Sequence, residues 1–384
     1  MTDFLAEKRI VVCVGPGGVG KTTTAAALAA LAARRGQRTL VTTIDPAPRL
    51  ADALGVSLVA EPTEVPAAVA GALGIAPGKL HVARLDTERA FGKLVEEQVT
   101  DAEMRRRIFE NPIYRQITTT LTGSQEYAAT LALYDIVRGN QFDLIVLDTP
   151  PTANALDFLE APHRLAEAIA SPALQWFARP SGDEGRFSLR RLRSGSAIIL
   201  KRLAQFVGSQ FLEDIAAFLS DFQGVLGGFL ARAESVSERL RGSDVAFMLV
   251  LAPETPAVDE ALFFERRLRE AGLHLEAFVA NRVHERPGLT DVDELSRHLR
   301  ARQALAGVSE EDVERLAATL GRAAIDMSRV CDGEDRELAR LRAAAPTITL
   351  LQVPRLDHDV ATLAALSQVG GYLSPDGPPA PSAR

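Results

Sequence analysis

Continuous apolar runs alternate along this chain with stretches of helical period. Ile10-Val11-Val12-Cys13-Val14 has no polar interruption, which predicts a strand buried on both faces. Similar runs recur at 38–44, 80–85, 142–147, 245–251, 275–280 and 348–353, and helical segments separate them. Strand and helix in alternation, with strands apolar throughout, predict an α/β fold with a mostly parallel sheet flanked by helices. The alternation breaks between residues 155 and 241. That interval is mostly helical in pattern and too long for a simple crossover. It predicts a helical subdomain inserted into one domain spanning 1–373. Residues 374–384 are rich in Pro, Gly and Ser and are expected to be a disordered tail. Thr255-Pro256 reads as an N-cap followed by proline at the first helical position. Ser309 with Asp312 resembles a capping box opening a helix through Leu316 and Leu320.

The first strand and the helix after it enclose the stretch Gly15-Pro16-Gly17-Gly18-Val19-Gly20-Lys21-Thr22-Thr23-Thr24. Strand, glycine loop, Lys-Thr and helix in that order are what a phosphate-binding P-loop needs. The glycines let successive backbone N–H groups turn toward one anion. Lys21 adds a charge for the β- and γ-phosphates, the helix N-terminus adds its partial positive charge, and Thr22 has the hydroxyl to hold Mg²⁺. Gly15, Gly17 and Gly20 also fit a dinucleotide-binding fingerprint, with Asp45 where a ribose-binding acid would sit. Lys21-Thr22 directly after the last glycine favours the P-loop, because a dinucleotide site has no use for a lysine aimed at a γ-phosphate. Gly17, Gly18, Val19, Gly20, Lys21, Thr22 and Thr23 are therefore the expected phosphate-binding residues.

Two carboxylates follow at strand ends. Asp45, at the end of the second strand, has the place to orient or deprotonate the water that attacks a γ-phosphate. It is equally well placed as a helix N-cap. The run Phe142–Leu147 delivers Asp148 to the edge of the sheet, as a Walker B strand does. There Asp148 would hold Mg²⁺ through water, or else cap the strand end. Pro150 to Asn154 is stiff and polar and suits a switch segment that responds to the γ-phosphate. With no internal repeat, one nucleotide site per chain is expected.

Together these residues resemble the arsenite-pump and tail-anchored-protein-targeting ATPase family, in its bacterial anion-transporting branch. The resemblance rests on the glycine loop, Asp45-Pro46-Ala47, and Asp148-Thr149-Pro150-Pro151-Thr152. Gly123-Ser124-Gln125-Glu126-Tyr127 resembles the family's short motif before the metal-binding strand. Asn281-Arg282 and Pro354-Arg355 fall where the family binds adenine, so Asn281, Pro354 and Arg355 are expected at the base. The resemblance runs from residue 15 to 355. It implies ATP and Mg²⁺ as ligands, Asp45 as the hydrolytic carboxylate, and a dimer that opens and closes with nucleotide state.

Three departures qualify what is inherited. The family usually has a second lysine just before the Gly-Gly, reaching across the dimer to the partner's γ-phosphate. Here that position is Pro16. A cation supplied in trans is worth about 10³ to 10⁵ in rate. A homodimer would then be slow, would use another cation such as Arg49, or would give way to a heterodimer with a paralogue that keeps the lysine. The second departure is thiols. With only Cys13 and Cys331 there is no Cys-x-x-Cys zinc clamp and no arsenite-binding cluster, and both are expected to pack as small apolar residues. The third is the client surface. The chain has 4 Met where targeting members have a methionine-rich groove. It has instead Phe206, Phe211, Ile215, Phe218, Phe222, Val225 and Phe229, with Leu212, Leu219 and Leu226 beside them, a wide apolar face on a long helix. That face is either the core of the helical subdomain or an open groove.

Composition narrows the setting. The 384 residues are 47% hydrophobic with a net charge of −7 and mixed signs, so a nucleic-acid partner is not expected. No run is long and apolar enough to span a bilayer, and residues 1–8 lack a secretory pattern, so a cytoplasmic location is expected. The basic run Arg186, Arg190, Arg191, Arg193, Lys201 and Arg202 reads as a solvated surface or as a site for anionic lipid or an acidic partner. Three uses remain open: an ATPase that targets hydrophobic membrane-protein clients, the energising subunit of a membrane transporter, or a weakly hydrolytic, nucleotide-sensing subunit of a heterodimer.

Overall fold

A computed structural model describes residues 4–43, 47–119, 124–149, 167, 209–301, 307–357, 360 and 362–374. Among them eight strands form one sheet. They are β1 Ile10–Val14, β2 Thr39–Thr43, β3 Thr63–Glu64, β4 Leu80–Arg84, β5 Leu144–Asp148, β6 Val245–Leu251, β7 Leu275–Val283 and β8 Thr349–Pro354. Their order across the sheet is β3-β4-β2-β5-β1-β6-β7-β8. Every pairing is parallel except that of β3 with β4. Every residue of β1, β2, β5 and β6 is buried, as a sheet covered on both faces requires.

One face is covered by the helix Lys21–Arg34, whose Ala-rich surface lies close against the sheet, with Arg49–Leu54, Ala67–Ala72 and Leu363–Tyr372 around it. The other face packs under Ser124–Gly139, Thr255–Glu270 and the C-terminal ends of Ser209–Leu240 and Glu310–Ala344. Because the long strands run parallel, their C-terminal ends share one edge. The segments after β1, β2, β5, β7 and β8 emerge there, and they carry the chemistry-bearing residues.

The seven apolar runs are the seven longer strands; β1 and β6 keep the expected bounds, and the other five shift by one to three residues at one or both ends. β5 starts at Leu144, and just before it the Asp143 carboxylate accepts from the Arg38 backbone N–H at 2.7 Å, tying this end of β5 to the start of β2. β3 was not anticipated: Thr63 and Glu64 are both exposed, so no apolar run marks them. The expected cap at Thr255 is corrected by one residue. Glu254 is the N-cap, Thr255 opens the helix, and its hydroxyl donates to Glu337 Oε1 at 2.8 Å rather than serving the backbone. Ser309 does cap Glu310–Ala344, its Oγ accepting from the Asp312 N–H at 3.1 Å. The Asp312 carboxylate takes the Ser309 hydroxyl at 2.7 Å.

The aromatic helix of the sequence is Ser209–Leu240. Phe218, Phe222 and Val225 are buried in a cluster with Phe91, Leu94 and Val95, and Ile215 packs beside them. The rings of Phe218 and Phe222 stack 4.8 Å apart. These four residues are thus core rather than open groove. The side chains of Phe211, Leu212, Leu219, Leu226 and Phe229 lie outside the described residues, as do Phe206 and the basic run 186–202. The other half of this cluster comes from helices Thr87–Gln98, Ala102–Glu110, Pro112–Thr119 and Ser124–Gly139, which precede β5. Helical packing at this end therefore draws on segments both before and after β5, beyond the expected interval 155–241. At the other end Ser374 Oγ accepts from Arg35 Nη2 at 2.8 Å, and residues 375–384 lie outside the described ones. No described helix is long and apolar enough to cross a membrane.

Phe222 fills the centre of this interior. Phe222→Ala is expected to cost about 3–5 kcal/mol through lost burial and the cavity left behind. Urea unfolding measures it, and a loss below about 1 kcal/mol would mean that the helices do not pack there.

Candidate functional site

The loop Gly15–Gly20 leaves β1 and turns straight into Lys21–Arg34. Two of its glycines have steric reasons to be glycine. Gly15 has φ +143°, and a Cβ there would run into the Val250 carbonyl oxygen of β6. Gly20 has φ +98°, and a Cβ there would meet the Asn281 amide nitrogen at the end of β7. The loop is thereby held against two neighbouring strands. Asn281 Nδ2 donates to the Val19 carbonyl at 2.8 Å, and its Oδ1 accepts from the Arg282 N–H at 3.0 Å. Arg282 itself adopts the left-handed conformation, φ +62°, at this turn of the strand.

Lys21 opens the helix and is only 6% exposed. Its ammonium donates to the carbonyls of Gly15, 2.9 Å, and Pro16, 2.7 Å. The charge thus sits over its own loop, and these two carbonyls are neutral oxygens that a phosphate can outcompete. The neighbouring Thr22 Oγ1 donates to Asp148 Oδ2 at 2.9 Å. Thr43 Oγ1 at the end of β2 donates to the same oxygen at 3.0 Å. Asp148 is 1% exposed, so this carboxylate is anchored between two hydroxyls from two other elements. Thr149 Oγ1 donates to the Cys13 carbonyl at 2.8 Å, locking β5 to β1 beyond the last ladder pair.

A cleft of about 380 Å³ is lined by Gly18, Gly20, Lys21, Thr22, Arg49 and Asp52, among others. It meets a larger one, about 1030 Å³, at Gly20 and Thr23. The walls of the larger cleft include Asn281, His284, Met327, Pro354 and Arg355. One continuous groove therefore runs from the glycine loop to the ends of β7 and β8. Its small end is lined by the glycine loop, Lys21, Thr22, Thr23 and Arg49, with Asp52 as an acid on the wall, and its large end by mixed apolar and polar walls. That division matches a nucleoside triphosphate, with phosphates at one end and base at the other. The hydroxyl of Thr22 and the carboxylate of Asp148 are hard oxygen donors of the kind Mg²⁺ takes, and Mg²⁺ keeps most of its remaining ligands as water. The donor set fits Mg²⁺.

The structure thus brings together Gly17, Gly18, Val19, Gly20, Lys21, Thr22, Thr23 and Asp148 at one end, and Asn281, Pro354 and Arg355 at the other. Asp45 lies outside the described residues, as do Gly123 and the segment after Thr149. The side chains of the helix that starts at Ser124 are likewise undescribed through Thr130. Thr43, Arg49, Asp52 and His284 were not singled out from sequence as parts of this groove, apart from Arg49 as a substitute cation. Thr43 had only a partial signal, a hydroxyl closing an apolar run; its register with Asp148 is set by the sheet. His284 had none.

Neither cysteine has the character of a ligand. Burial first, and then the Asp148 charge, push the Cys13 thiol far above its ordinary range, with Lys21 opposing. Burial and the Glu334 charge raise Cys331. Both stay protonated thiols at neutral pH. Among the described residues no group of three or more His, Cys, Asp or Glu is arranged to hold a metal ion. Pro16 lies at the edge of a small pocket with Glu260 and Phe264 of the helix Thr255–Glu270.

Comparison with known proteins adds the following. Residues 8–175 match the family model described as anion-transporting ATPase. Protein SCO2128 of Streptomyces coelicolor is 32% identical over 277 residues, 72% of this chain and 62% of its own length. ATPase ASNA1 homolog 1 of Paramecium tetraurelia is 29% identical over 160 residues, 40% of this chain and 44% of its own. ATPase GET3 of Malassezia globosa is 26% identical over 171 residues, 44% of this chain and 47% of its own. The chain thus spans less than two thirds of each of these relatives.

Gly20→Ala tests the loop. A left-handed backbone costs an alanine about 1–2 kcal/mol, and the displaced Asn281 adds to it. The variant is expected to unfold earlier in denaturant and to lose ATP binding by calorimetry. Unchanged values of both would contradict the loop geometry.

Proposed function

We propose that the chain binds and hydrolyses Mg-ATP, a reading supported by the match of residues 8–175 to the anion-transporting ATPase family model. The observation that carries this reading is the joint placement of Lys21 over its loop and of the Thr22 hydroxyl on the buried Asp148 carboxylate. A triphosphate entering the small end of the groove offers anionic oxygens to Lys21, which donates to the Gly15 and Pro16 carbonyls. The ammonium moves to them, and the amides of Gly17 to Thr23 close on the same charge. Thr22 and Asp148 would hold Mg²⁺, whose charge would offset that of the phosphates. Because Asp148 is already fixed by Thr22 and Thr43, it needs no reorganisation to do so.

Asp45 would orient the attacking water, an assignment that rests on its place in the sequence after β2. At the base end, Pro354 and Arg355 would border the adenine. Asn281 would contribute there while bracing the loop, since its amide already spans from β7 to Val19. Nucleotide state would then reach the rest of the molecule through strand ends that share one edge of the sheet.

We place this activity in a dimer, of two copies or with a paralogue, that couples ATP to a hydrophobic client or a membrane partner. Service as the energising subunit of a membrane transporter is a variant of that use. Pro16 favours a further reading, a subunit that hydrolyses weakly and senses nucleotide for a lysine-bearing paralogue. Among the described residues, Arg49 on the wall of the phosphate end is a cation placed to substitute.

Two measurements test this. Magnesium-dependent phosphate release from the purified chain is expected to fall about 10²- to 10³-fold in Lys21→Ala. Unchanged release in that variant would remove the proposed site. Pro16→Lys is expected to raise homodimer turnover by at least ~10-fold, as a restored trans cation should. If the unaltered homodimer already matches a lysine-bearing relative and the variant adds nothing, the weakly hydrolytic reading is wrong.

A further inference from the structure

The loop after β7 is clasped by one turn of the long helix Glu310–Ala344. Glu334 Oε2 accepts from the His284 backbone N–H at 2.9 Å, and Oε1 faces His284 Nδ1 at 2.6 Å. Cys331 Sγ donates to the His284 carbonyl at 3.8 Å. Arg286 pairs with Asp332 and Asp335 of the same helix, each at 2.8 Å. On the other side of the ring, His284 Nε2 lies 3.1 Å from Arg355 Nη1. Glu334 and His284 expose only 10% and 21% of their side chains.

Only one arrangement of protons gives each contact a donor and an acceptor. A carboxylate accepts and a guanidinium only donates, so Nδ1 carries the proton and Nε2 offers its lone pair. His284 therefore hands the Glu334 anchor on to Arg355, whose side chain lines the base end of the groove. Met327, seven residues before Glu334 on the same helix, lines that end too.

We infer that Glu334, His284 and Arg355 form a positioning chain that fixes the Arg355 guanidinium at the base end of the nucleotide groove and ties the long helix to it. This role presupposes the nucleotide reading given above. His284 touches no ligand itself. It sets where Arg355 points, and so governs affinity for the nucleoside part of a nucleotide while leaving phosphate binding alone. Without His284, Arg355 becomes a free surface rotor that must be ordered on each binding event.

The test compares Mg-ATP with Mg-tripolyphosphate by calorimetry, across variants of the full chain. Tripolyphosphate fills the phosphate end without a base. His284→Ala and Arg355→Ala are each expected to weaken ATP about tenfold, the worth of a hydrogen bond to a charged group. Both should leave tripolyphosphate within about twofold, and the double variant should lose no more than the worse single one. Two isosteres separate the halves of the ring. His284→Gln keeps an acceptor near the Nε2 position and should retain ATP affinity within about threefold. His284→Asn keeps a donor near Nδ1 alone and should behave as His284→Ala. Equal losses for both ligands, additive losses in the double variant, or full ATP affinity in His284→Ala would each overturn the chain. If the unaltered protein binds neither ligand, the nucleotide reading itself fails.

Discussion

A single carboxylate, Asp148, has almost no exposure and takes hydroxyl hydrogen bonds from Thr22 and Thr43. A charge so buried is tolerated only where donors compensate it. That requirement binds the end of β5 to the start of the helix Lys21–Arg34 and to the end of β2. The glycine loop cannot move far from the sheet while Thr22 stays on that carboxylate. The loop is held again from the other side, where Asn281 reaches Val19 and where Gly15 leaves no room over Val250. The phosphate end of the groove is in this sense built before any ligand arrives, which is what electrostatic preorganisation means in structural terms.

The parallel sheet makes this convergence possible. Residues far apart in sequence, Lys21, Asp148, Asn281 and Arg355, meet because their strands run in one direction and end at one edge. The connections can vary in length and content without disturbing that edge. Here they include the helices of 87–139 and 209–240, which build their own interior around Phe91, Phe218 and Phe222. The interior is separate from the two sheet-covering cores. A nucleotide-dependent shift at the strand ends could therefore move a packed helical body as a unit, since packed cores shift between discrete arrangements rather than deform smoothly.

Much of this was legible in the sequence, for identifiable reasons. Continuous, mainly apolar runs between helical segments gave the sheet, because strands buried on both faces are dominated by apolar residues. The glycine loop was legible because only glycine fits its backbone and only Lys-Thr follows it for phosphate. Contacts between distant residues were not. Thr43 on Asp148, Asn281 on Val19 and Glu334 on His284 depend on register and packing that no local pattern encodes. β3 escaped because two exposed residues on an edge have no hydrophobic signal. The Phe218 stripe could be read as core or groove until its covering helices were placed, since periodicity reports a face and not what lies against it. Thr255 was one position out because its hydroxyl serves Glu337 of another helix rather than the backbone of its own.

The account turns on whether the amides of residues 17–23 hold a triphosphate. Native-state hydrogen exchange, followed with and without saturating Mg-ATP, measures this at the groups concerned. Slowed exchange is expected in 17–23, with smaller protection at the ends of β5, β7 and β8. Exchange in 17–23 unchanged by saturating Mg-ATP would contradict it.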